Sequence, residues 1–305
     1  MEFVLDMRVM SCYNPILGYE PRPESGKRGV VFNSVQGYPD SVIELPCGRC
    51  IGCRLDRAKE WAVRCMHEAS QHIDNCFVTL TYNDASLPPN CSLNPRDFVL
   101  FLKRLRKHLH PRTIRFFQCG EYGQGRNSGE LGRPHHHCII FGWIPDDLVV
   151  WSVKGNVKLY RSALLERFWP HGFVTVGYVT YESAAYVSRY ILKKVTGPDA
   201  EKYYQGRKPE YLTMSRRPGI GKKWLDKYYK EVYRGDNVVY GLGRLTKPPR
   251  YYDKKFEEVD KEMFDDVKLF RDIESLSSDY NSEYRREARR KVQEARLSML
   301  ERNLT

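Results

Sequence analysis

Residues 133–141 read Arg-Pro-His-His-His-Cys-Ile-Ile-Phe and contain the densest group of chemically reactive side chains in the sequence. The β-branched and aromatic residues that follow the histidines predict a strand from His135 to Gly142. Because successive side chains of a strand point to opposite faces, His135 and His137 share one face and His136 lies on the other. Two imidazoles about 7 Å apart on one face can bind the same cation. The alternative interpretation is a run of surface histidines.

A third ligand for such an ion precedes the histidines. Residues 112–119 predict another strand, and the glycine-rich stretch 120–133 predicts a hairpin loop between the two strands. Glu121 lies across this hairpin from the histidines. Two nitrogens and one carboxylate leave positions open for a phosphate oxygen and water, and they suit Mg²⁺ or Mn²⁺. The sequence therefore predicts a metal site formed by Glu121, His135 and His137.

Two tyrosines and a lysine recur at four-residue intervals in residues 182–194, which predict a helix. On a helix, Tyr186, Tyr190 and Lys194 form one stripe, with steps of about 6 Å along the axis. A tyrosine has a pKa of about 10 and is a weak nucleophile unless its target is activated. Lys194 can stabilise the phenolate or protonate a leaving 3′ oxygen. Attack on DNA forms a 5′-phosphotyrosine bond that conserves the phosphodiester energy for rejoining.

An alternative explanation of the same spacing is aromatic packing on an amphipathic helix, because the chain contains 21 tyrosines. The histidine strand upstream favours the nucleophile. Two tyrosines on one stripe allow attack by each in turn.

The remaining patterns predict an α+β fold. Helices are predicted over 54–73, 96–109 and 159–168, and strands over 76–82 and 172–178. Asn94 caps the second of these helices, and Thr180 or Ser183 caps the tyrosine helix. Residues 1–45, with several prolines and glycines, predict irregular structure. Consecutive strands that can be joined by hairpins indicate an antiparallel sheet.

Three regions are predicted from these patterns. They are an N-terminal segment (1–75) with a cysteine cluster and a helix, a domain (76–250) with the histidines and tyrosines, and a charged helical tail (251–305). Residues 1–252 hold 38 Lys/Arg against 24 Asp/Glu, whereas residues 253–305 hold 12 against 14. The positive charge therefore belongs to the folded part, which indicates a polyanionic partner. A merely basic soluble surface is the other explanation.

Three cysteines, Cys47, Cys50 and Cys53, are spaced by three residues just before a helix. With a fourth thiol they would form a closed tetrahedral Zn²⁺ site that stabilises structure. Cys12 is the best candidate for the fourth ligand, and His67 and His72 are weaker ones. The other interpretation is free, reduced cysteines in a loop, since the first ten residues are a poor signal peptide and nothing suggests export.

Basic residues alternate with aromatic ones after the tyrosine helix, a pattern typical of single-strand binding. The predicted DNA-binding residues are Arg207, Lys208, Arg216, Arg217 and, on the helix, Lys193. The alternative for any one cluster is a solvated face. No segment reaches the ~18 apolar residues that a membrane span needs, so no membrane partner is expected.

Four blocks of the sequence resemble the HUH endonuclease superfamily, most closely the replication initiators of microvirus-type single-stranded DNA phages, gokushovirus-like members in particular. The blocks are 77–82, Gly120–Gly123 with Arg133–His137, Tyr186/Tyr190/Lys194, and Ser215–Gly221 with Trp224. They span roughly residues 45–225, and the tyrosine pair is the most specific. One departure is His136, where the family has an aliphatic residue. It leaves open which pair of histidines binds metal.

The resemblance implies an antiparallel sheet of about five strands with helices on one side and the tyrosine helix near the metal. It implies a site-specific enzyme that nicks and joins DNA at a phage origin in rolling-circle replication. Its partners would be single-stranded and replicative-form phage DNA and the host helicase and polymerase, in the host bacterial cytoplasm.

Two other functions fit parts of the sequence. One is a plasmid or mobile-element relaxase or transposase with the same chemistry, although a helicase or transfer domain is absent. The other is a non-enzymatic, zinc-dependent DNA-binding regulator in which the histidines are incidental. A covalent adduct with DNA distinguishes the enzymes from the regulator.

Overall fold

The computed structural model describes residues 10–27, 29–125, 130–155, 157–189, 194–241, 243–276 and 281–299. The chain forms two compact units, one from Met1–Arg57 with Glu262–Thr305 and the other from Ala58–Lys261. These bounds differ from the predicted regions 1–75, 76–250 and 251–305. The two ends of the chain share one unit because they contact each other, as between the backbone N–H of Met10 and the side chain of Asn281.

The larger unit is built on a seven-stranded sheet in which every pair of neighbours is antiparallel. Its strands are β3 (Asn75–Tyr82), β4 (Arg115–Gln124), β5 (Leu131–Phe141), β6 (Val149–Lys154), β7 (Val157–Arg161), β8 (Gly172–Tyr178) and β9 (Tyr211–Met214). Their order across the sheet is β6-β7-β8-β3-β5-β4-β9. The predicted α+β class with an antiparallel sheet is confirmed, with seven strands in place of about five.

The extra strands come from segments whose patterns are ambiguous. Residues 159–168 were predicted as one helix, but the chain is extended to Arg161 and only Ala163–Phe168 (α3) is helical. The boundary is set by Ser162, whose hydroxyl accepts a hydrogen bond from the backbone N–H of Leu165. An N-cap of this kind begins a helix at the next residue. The strand β9 has four residues, too few for a period-two pattern to be distinctive.

Helices of the larger unit and the segment that leads into it follow the predictions closely. They are α1 (Ile51–Ala69), α2 (Pro95–Leu109), α4 (Tyr181–Ser188), α5 (Ala200–Tyr204), α6 (Lys222–Gly235) and α7 (Arg250–Glu257). Asn94 caps α2 as predicted, by accepting from the N–H of Arg96. Two further strands, β10 (Val238–Tyr240) and β11 (Arg244–Thr246), form a separate hairpin.

The two faces of the sheet enter two separate cores. On one face α2 and α3 cover alternate residues of the central strands; this core includes Val78, Leu80, Ile140, Phe101, Leu105 and Trp169. On the other face α1 and α4 cover the intervening residues; this core includes Phe77, Phe117, Ile139, Ala62, Ala184 and Val187. Helices therefore pack on both faces, not on one side as the resemblance implied. Each large side chain buried in this way contributes about 1.5–3 kcal/mol.

The smaller unit contains a β-hairpin and the C-terminal helices. The hairpin pairs β1 (Ile16–Pro21) with β2 (Gly37–Leu45), so the prediction of irregular structure over 1–45 is wrong for these residues. Prolines did not prevent the pairing because Pro21 and Pro39 lie at a register shift, where ladder hydrogen bonds are interrupted. The helices are α8 (Lys261–Leu276) and α9 (Glu283–Ser298), as predicted for the tail. Within the described residues, no helix combines the length and the apolar character that crossing a bilayer requires.

Candidate active site

The strands β4 and β5 bring Glu121, His135 and His137 together on one face of the sheet. Glu121 pairs directly with His135 in the ladder, and His137 pairs with Cys119. The Nε2 atoms of His135 and His137 lie 3.1 and 3.2 Å from the same carboxylate oxygen, Glu121 Oε1. The three ligand atoms lie within 4.8 Å of one another. Glu121 was expected in a hairpin loop, but both strands extend further, and the ladder itself sets the geometry of this group.

The outer ring nitrogens of both histidines have their own partners. Thr79 Oγ1 lies 2.9 Å from His137 Nδ1, and the backbone carbonyl of Arg133 lies 3.2 Å from His135 Nδ1. When each Nδ1–H donates to its oxygen, each Nε2 keeps a lone pair that points at Glu121. Second contacts of this type fix the tautomer and orientation of metal-binding histidines. Thr79 was not predicted from the sequence, because β3 and β5 pair over a long sequence separation.

Electrostatics in this group favour an ionised carboxylate. Burial alone would raise the pKa of Glu121, but hydrogen bonds and charge attraction from His135 and His137 hold the pKa well below the usual range of a glutamate. A buried anion between two imidazoles provides the charge that a divalent cation needs.

His136 occupies the opposite face of the sheet and is fully buried. Its Nε2 lies 3.2 Å from the hydroxyl of Tyr82, and its Nδ1 lies 3.2 Å from the hydroxyl of Tyr211 and 3.3 Å from Gln118. Burial, followed by repulsion from the neighbouring histidines, lowers its pKa to about 3. His136 is therefore a neutral core residue, and only the pair His135 and His137 faces Glu121.

The helix α4 places Tyr186 against this group. A reciprocal capping box between Thr180 and Ser183 begins the helix, so both predicted caps contribute. The Tyr186 hydroxyl donates to Glu121 Oε1 over 3.3 Å, and its ring lies edge-on to His137 with the centroids 5.0 Å apart. Burial and the charge of Glu121 raise the pKa of Tyr186 above its ordinary value. The phenol is thus protonated in this geometry, and a nearby positive charge would be needed to stabilise its anion.

One such charge was not predicted from the sequence. The Arg189 guanidinium lies 5.9 Å from the centre of the Tyr186 ring, at the C-terminal end of α4. It is three residues after Tyr186, a spacing that places two side chains near each other on a helix. That spacing was the available signal.

The other predicted members of the tyrosine stripe are less fully described. Tyr190 and Lys193 lie outside the described residues. Lys194 has no regular secondary structure, so the helix predicted over 182–194 is observed only to Ser188. A stripe of Tyr186, Tyr190 and Lys194 on one continuous helix stays a prediction.

The predicted DNA-binding residues differ in what their side chains contact. Arg207 Nη1 donates to the carbonyl of Leu131 over 3.0 Å, so Arg207 supports the end of the β4–β5 hairpin. Lys208 is exposed, and its backbone contacts Tyr122 and Ser92. Arg216 and Arg217 are both exposed in the loop that joins β9 to α6.

A buried network holds that loop in place. The Glu68 carboxylate accepts from the backbone N–H of Gly221 over 2.7 Å and pairs with Arg115, whose other branch donates to the carbonyl of Pro218 over 2.7 Å. Arg64 donates to the carbonyl of Ile220 over 3.1 Å. Ile220 is buried in the core that contains Ala184 and Val187 of α4. The basic loop thus lies on the same face of the sheet as Tyr186.

The four predicted zinc ligands also come together. The sulfurs of Cys12, Cys47, Cys50 and Cys53 lie within 4.8 Å of one another. The weaker candidates have other partners: His67 contacts the Tyr252 hydroxyl at 3.0 Å and the Val239 carbonyl at 3.2 Å, and His72 contacts Glu68 at 3.3 Å.

Comparison with known proteins places this chain among phage replication proteins. Residues 75–195, which include the histidine strands and α4, match the family model of the replication-associated protein ORF2. The replication-associated protein VP4 of Bdellovibrio phage phiMH2K is 37% identical over 223 residues, which cover 70% of this chain and 68% of that protein. The replication-associated protein ORF2 of Spiroplasma virus 4 is 38% identical, with the same shares covered.

A more distant relative has the same printed role. The replication-associated protein ORF4 of Chlamydia phage 1 is 29% identical over 81% of this chain and 59% of its own length. No solved structure matches the chain. The resemblance to phage replication initiators is confirmed, and the chain belongs to the ORF2 family of replication-associated proteins.

Proposed function

We propose that this protein nicks and rejoins single-stranded DNA at a phage origin through a covalent 5′-phosphotyrosine intermediate. The observation that supports this most directly is the convergence on one carboxylate oxygen: both histidine Nε2 atoms and the Tyr186 hydroxyl lie within 3.3 Å of Glu121 Oε1. A nucleophile beside a group of ligands is the arrangement that phosphoryl transfer requires. The replication-associated role of the relatives supplies the DNA substrate.

The residues fit a divalent cation. Two imidazoles and one carboxylate form the donor set, each outer ring nitrogen has a partner, and Glu121 is ionised. We propose Mg²⁺ or Mn²⁺, held by Glu121, His135 and His137. When bound, such an ion polarises the phosphate and stabilises the charge that develops on it.

The protein side chains perform the transfer. The oxygen of Tyr186 forms a bond to phosphorus while the bond from phosphorus to the 3′ oxygen breaks. The phenol proton leaves toward the carboxylate and solvent, and the 3′ oxygen takes up a proton, for which Lys194 is the candidate donor. Arg189 stabilises the anionic form of Tyr186. The free 3′-OH then primes synthesis by the host polymerase, and its later attack on the phosphotyrosine rejoins the strand.

The proposed DNA path passes over the basic loop 215–221. Arg216 and Arg217 are exposed, whereas the backbone of the loop is held by Glu68, Arg115 and Arg64. A rigid loop loses little conformational entropy when its side chains contact phosphates.

Replacing both Arg216 and Arg217 by alanine is expected to weaken single-strand binding and to reduce the slope of log affinity against log salt by about 1.4, or about 0.7 for each lost phosphate contact. The measurement is fluorescence anisotropy over a salt series. The matched control replaces Lys230 and Arg234, which are exposed on α6, and removes the same charge. A variant slope equal to that of the wild type would remove the loop from the interface.

The proposed chemistry is tested by trapping the covalent adduct. Protein is incubated with origin-containing single-stranded DNA and Mn²⁺, denatured, and analysed for protein-linked DNA. We expect the wild type to form an adduct, with its 5′ phosphate located on Tyr186 or Tyr190 by mass spectrometry of the nuclease-trimmed peptide. The double variant Tyr186→Phe/Tyr190→Phe is expected to form none.

Tyr181 provides a matched control. It lies on the same helix, and burial raises the pKa of its hydroxyl to about 12. Tyr181→Phe should leave the adduct unchanged. Reversible binding by the wild type without any adduct would support the non-enzymatic regulator instead, and an adduct that persists in the double variant would exclude these nucleophiles.

A further inference from the structure

The four-cysteine cluster near the N terminus is separate from the proposed catalytic chemistry. Each of the nine cysteines, all of them in the described part of the chain, is a free thiol. Cys65, Cys76, Cys119 and Cys138 are buried in the cores of the larger unit. Cys12, Cys47, Cys50 and Cys53 instead form one group from two distant segments of the chain. We propose that this group is a structural zinc site with four thiolate ligands.

The spacing of the sulfurs matches tetrahedral coordination. Zinc–sulfur bonds of about 2.3 Å in a tetrahedron separate the sulfurs by about 3.8 Å. The Sγ atoms of Cys12 and Cys50 lie 3.8 Å apart. All four sulfurs lie within 4.8 Å of one another, so small side-chain rotations complete the tetrahedron.

Backbone N–H groups surround the sulfurs. The N–H of Cys47 donates to Cys12 Sγ over 3.2 Å, that of Tyr13 donates to Cys50 Sγ over 3.4 Å, and that of Cys50 donates to Cys47 Sγ over 3.3 Å. Donors of this kind stabilise sulfur as a thiolate, the form that binds metal. Four adjacent thiolates repel one another unless a cation lies between them.

Two glycines make the close approach of the segments possible. Gly48 has a φ of +71°, in the left-handed region that side chains disfavour, and it forms the turn between the first two ligands. A Cβ on Gly52 would lie 1.8 Å from the carbonyl oxygen of Ser11, so only glycine lets the segment containing Cys12 contact the start of α1. The local backbone therefore serves the convergence of the four sulfurs.

The ligand type distinguishes this site from the one at Glu121. Soft thiolates select zinc or iron, whereas the carboxylate and imidazole set suits harder Mg²⁺ or Mn²⁺. A closed set of four protein ligands leaves no position for a substrate, so the ion stabilises structure only. It would join the N-terminal segment, whose Met10 contacts Asn281 and Arg289, to the first turn of α1.

The test is the metal content of the purified full-length protein, measured by plasma mass spectrometry. We expect about one zinc per chain in the wild type, below about 0.2 in Cys53→Ser, and about one in the control Cys91→Ser. Cobalt substitution should give the intense visible bands of tetrahedral thiolate ligation. Cys91 is a half-buried cysteine outside the cluster.

Measurements on the wild type alone decide the proposal if Cys53→Ser fails to fold. Titration with a mercurial reagent should release the zinc in step with loss of free thiols. Wild-type protein with less than about 0.2 zinc per chain, or with iron in place of zinc, would overturn the assignment. Either result would leave the adduct experiment unaffected.

Discussion

Replacing Glu121 by glutamine is expected to lower metal-dependent nicking by about 10²–10³-fold, the usual cost of losing one preorganised electrostatic group at a reacting centre. The substitution preserves shape but removes the charge that the two histidines and the cation share. Nicking rates on a fixed origin oligonucleotide measure the loss. Titration with Mn²⁺, followed by electron paramagnetic resonance, gives a readout independent of activity and should show weakened binding.

The hairpin that contains Glu121 also supplies the control. Glu130 is exposed near the other end of the same hairpin, and Glu130→Gln makes the same change in charge. Its nicking rate and Mn²⁺ affinity should match those of the wild type. Unchanged nicking and Mn²⁺ binding in Glu121→Gln would contradict the proposed ligand set, and an equal loss in Glu130→Gln would point to a general charge effect.

The largest expected effect on stability follows from removal of Arg115. Glu68 is buried, and its partners are Arg115, His72 and the N–H of Gly221. Arg115→Met would leave this carboxylate without its principal cation, and breaking a buried pair in this way costs about 3–5 kcal/mol. Urea unfolding followed by circular dichroism measures the change.

An exposed ion pair provides the comparison. Arg112 and Asp74 lie 3.1 Å apart, with half of the Arg112 side chain exposed, so Arg112→Met should cost less than about 1 kcal/mol. A cost for Arg115→Met below that of Arg112→Met would contradict the role assigned to the buried network.

The pH dependence of this difference has a definite sign. Burial acts to raise the pKa of Glu68, but its hydrogen bonds with His72, Gly221 and Arg115 lower the pKa overall. The stabilisation is therefore present above the unfolded value of about 4.3 and is lost as the pH falls through the lower folded pKa. The gap between the wild type and Arg115→Met should be largest near neutral pH and should shrink below about pH 4.

Local periodicity predicted the parts of the site that lie on single elements. The alternation of His135, His136 and His137 required only a strand, and the structure places the middle residue on the opposite face. The position of Tyr186 near Glu121 required more than spacing, because it depends on how α4 packs on the sheet.

Partners that are distant in sequence could not be predicted from local patterns. Thr79 reaches His137 through strand pairing, and Glu68 reaches Gly221 through tertiary packing. Glycine also misled the placement of the hairpin loop: Gly120 was interpreted as part of a loop, but it lies in β4 beneath the ring of Tyr211, where a Cβ would clash. The requirement for a small residue there comes from a neighbouring strand.

The most direct test of the central claim is a crystal structure of the protein with Mn²⁺ and an origin oligonucleotide, with data collected at a wavelength where manganese scatters anomalously. The account predicts an anomalous peak within about 2.3 Å of Glu121, His135 Nε2 and His137 Nε2, with the Tyr186 hydroxyl facing the scissile phosphate. Saturating Mn²⁺ that gives no peak between these three residues, or a scissile phosphate out of reach of Tyr186 and Tyr190, would contradict it.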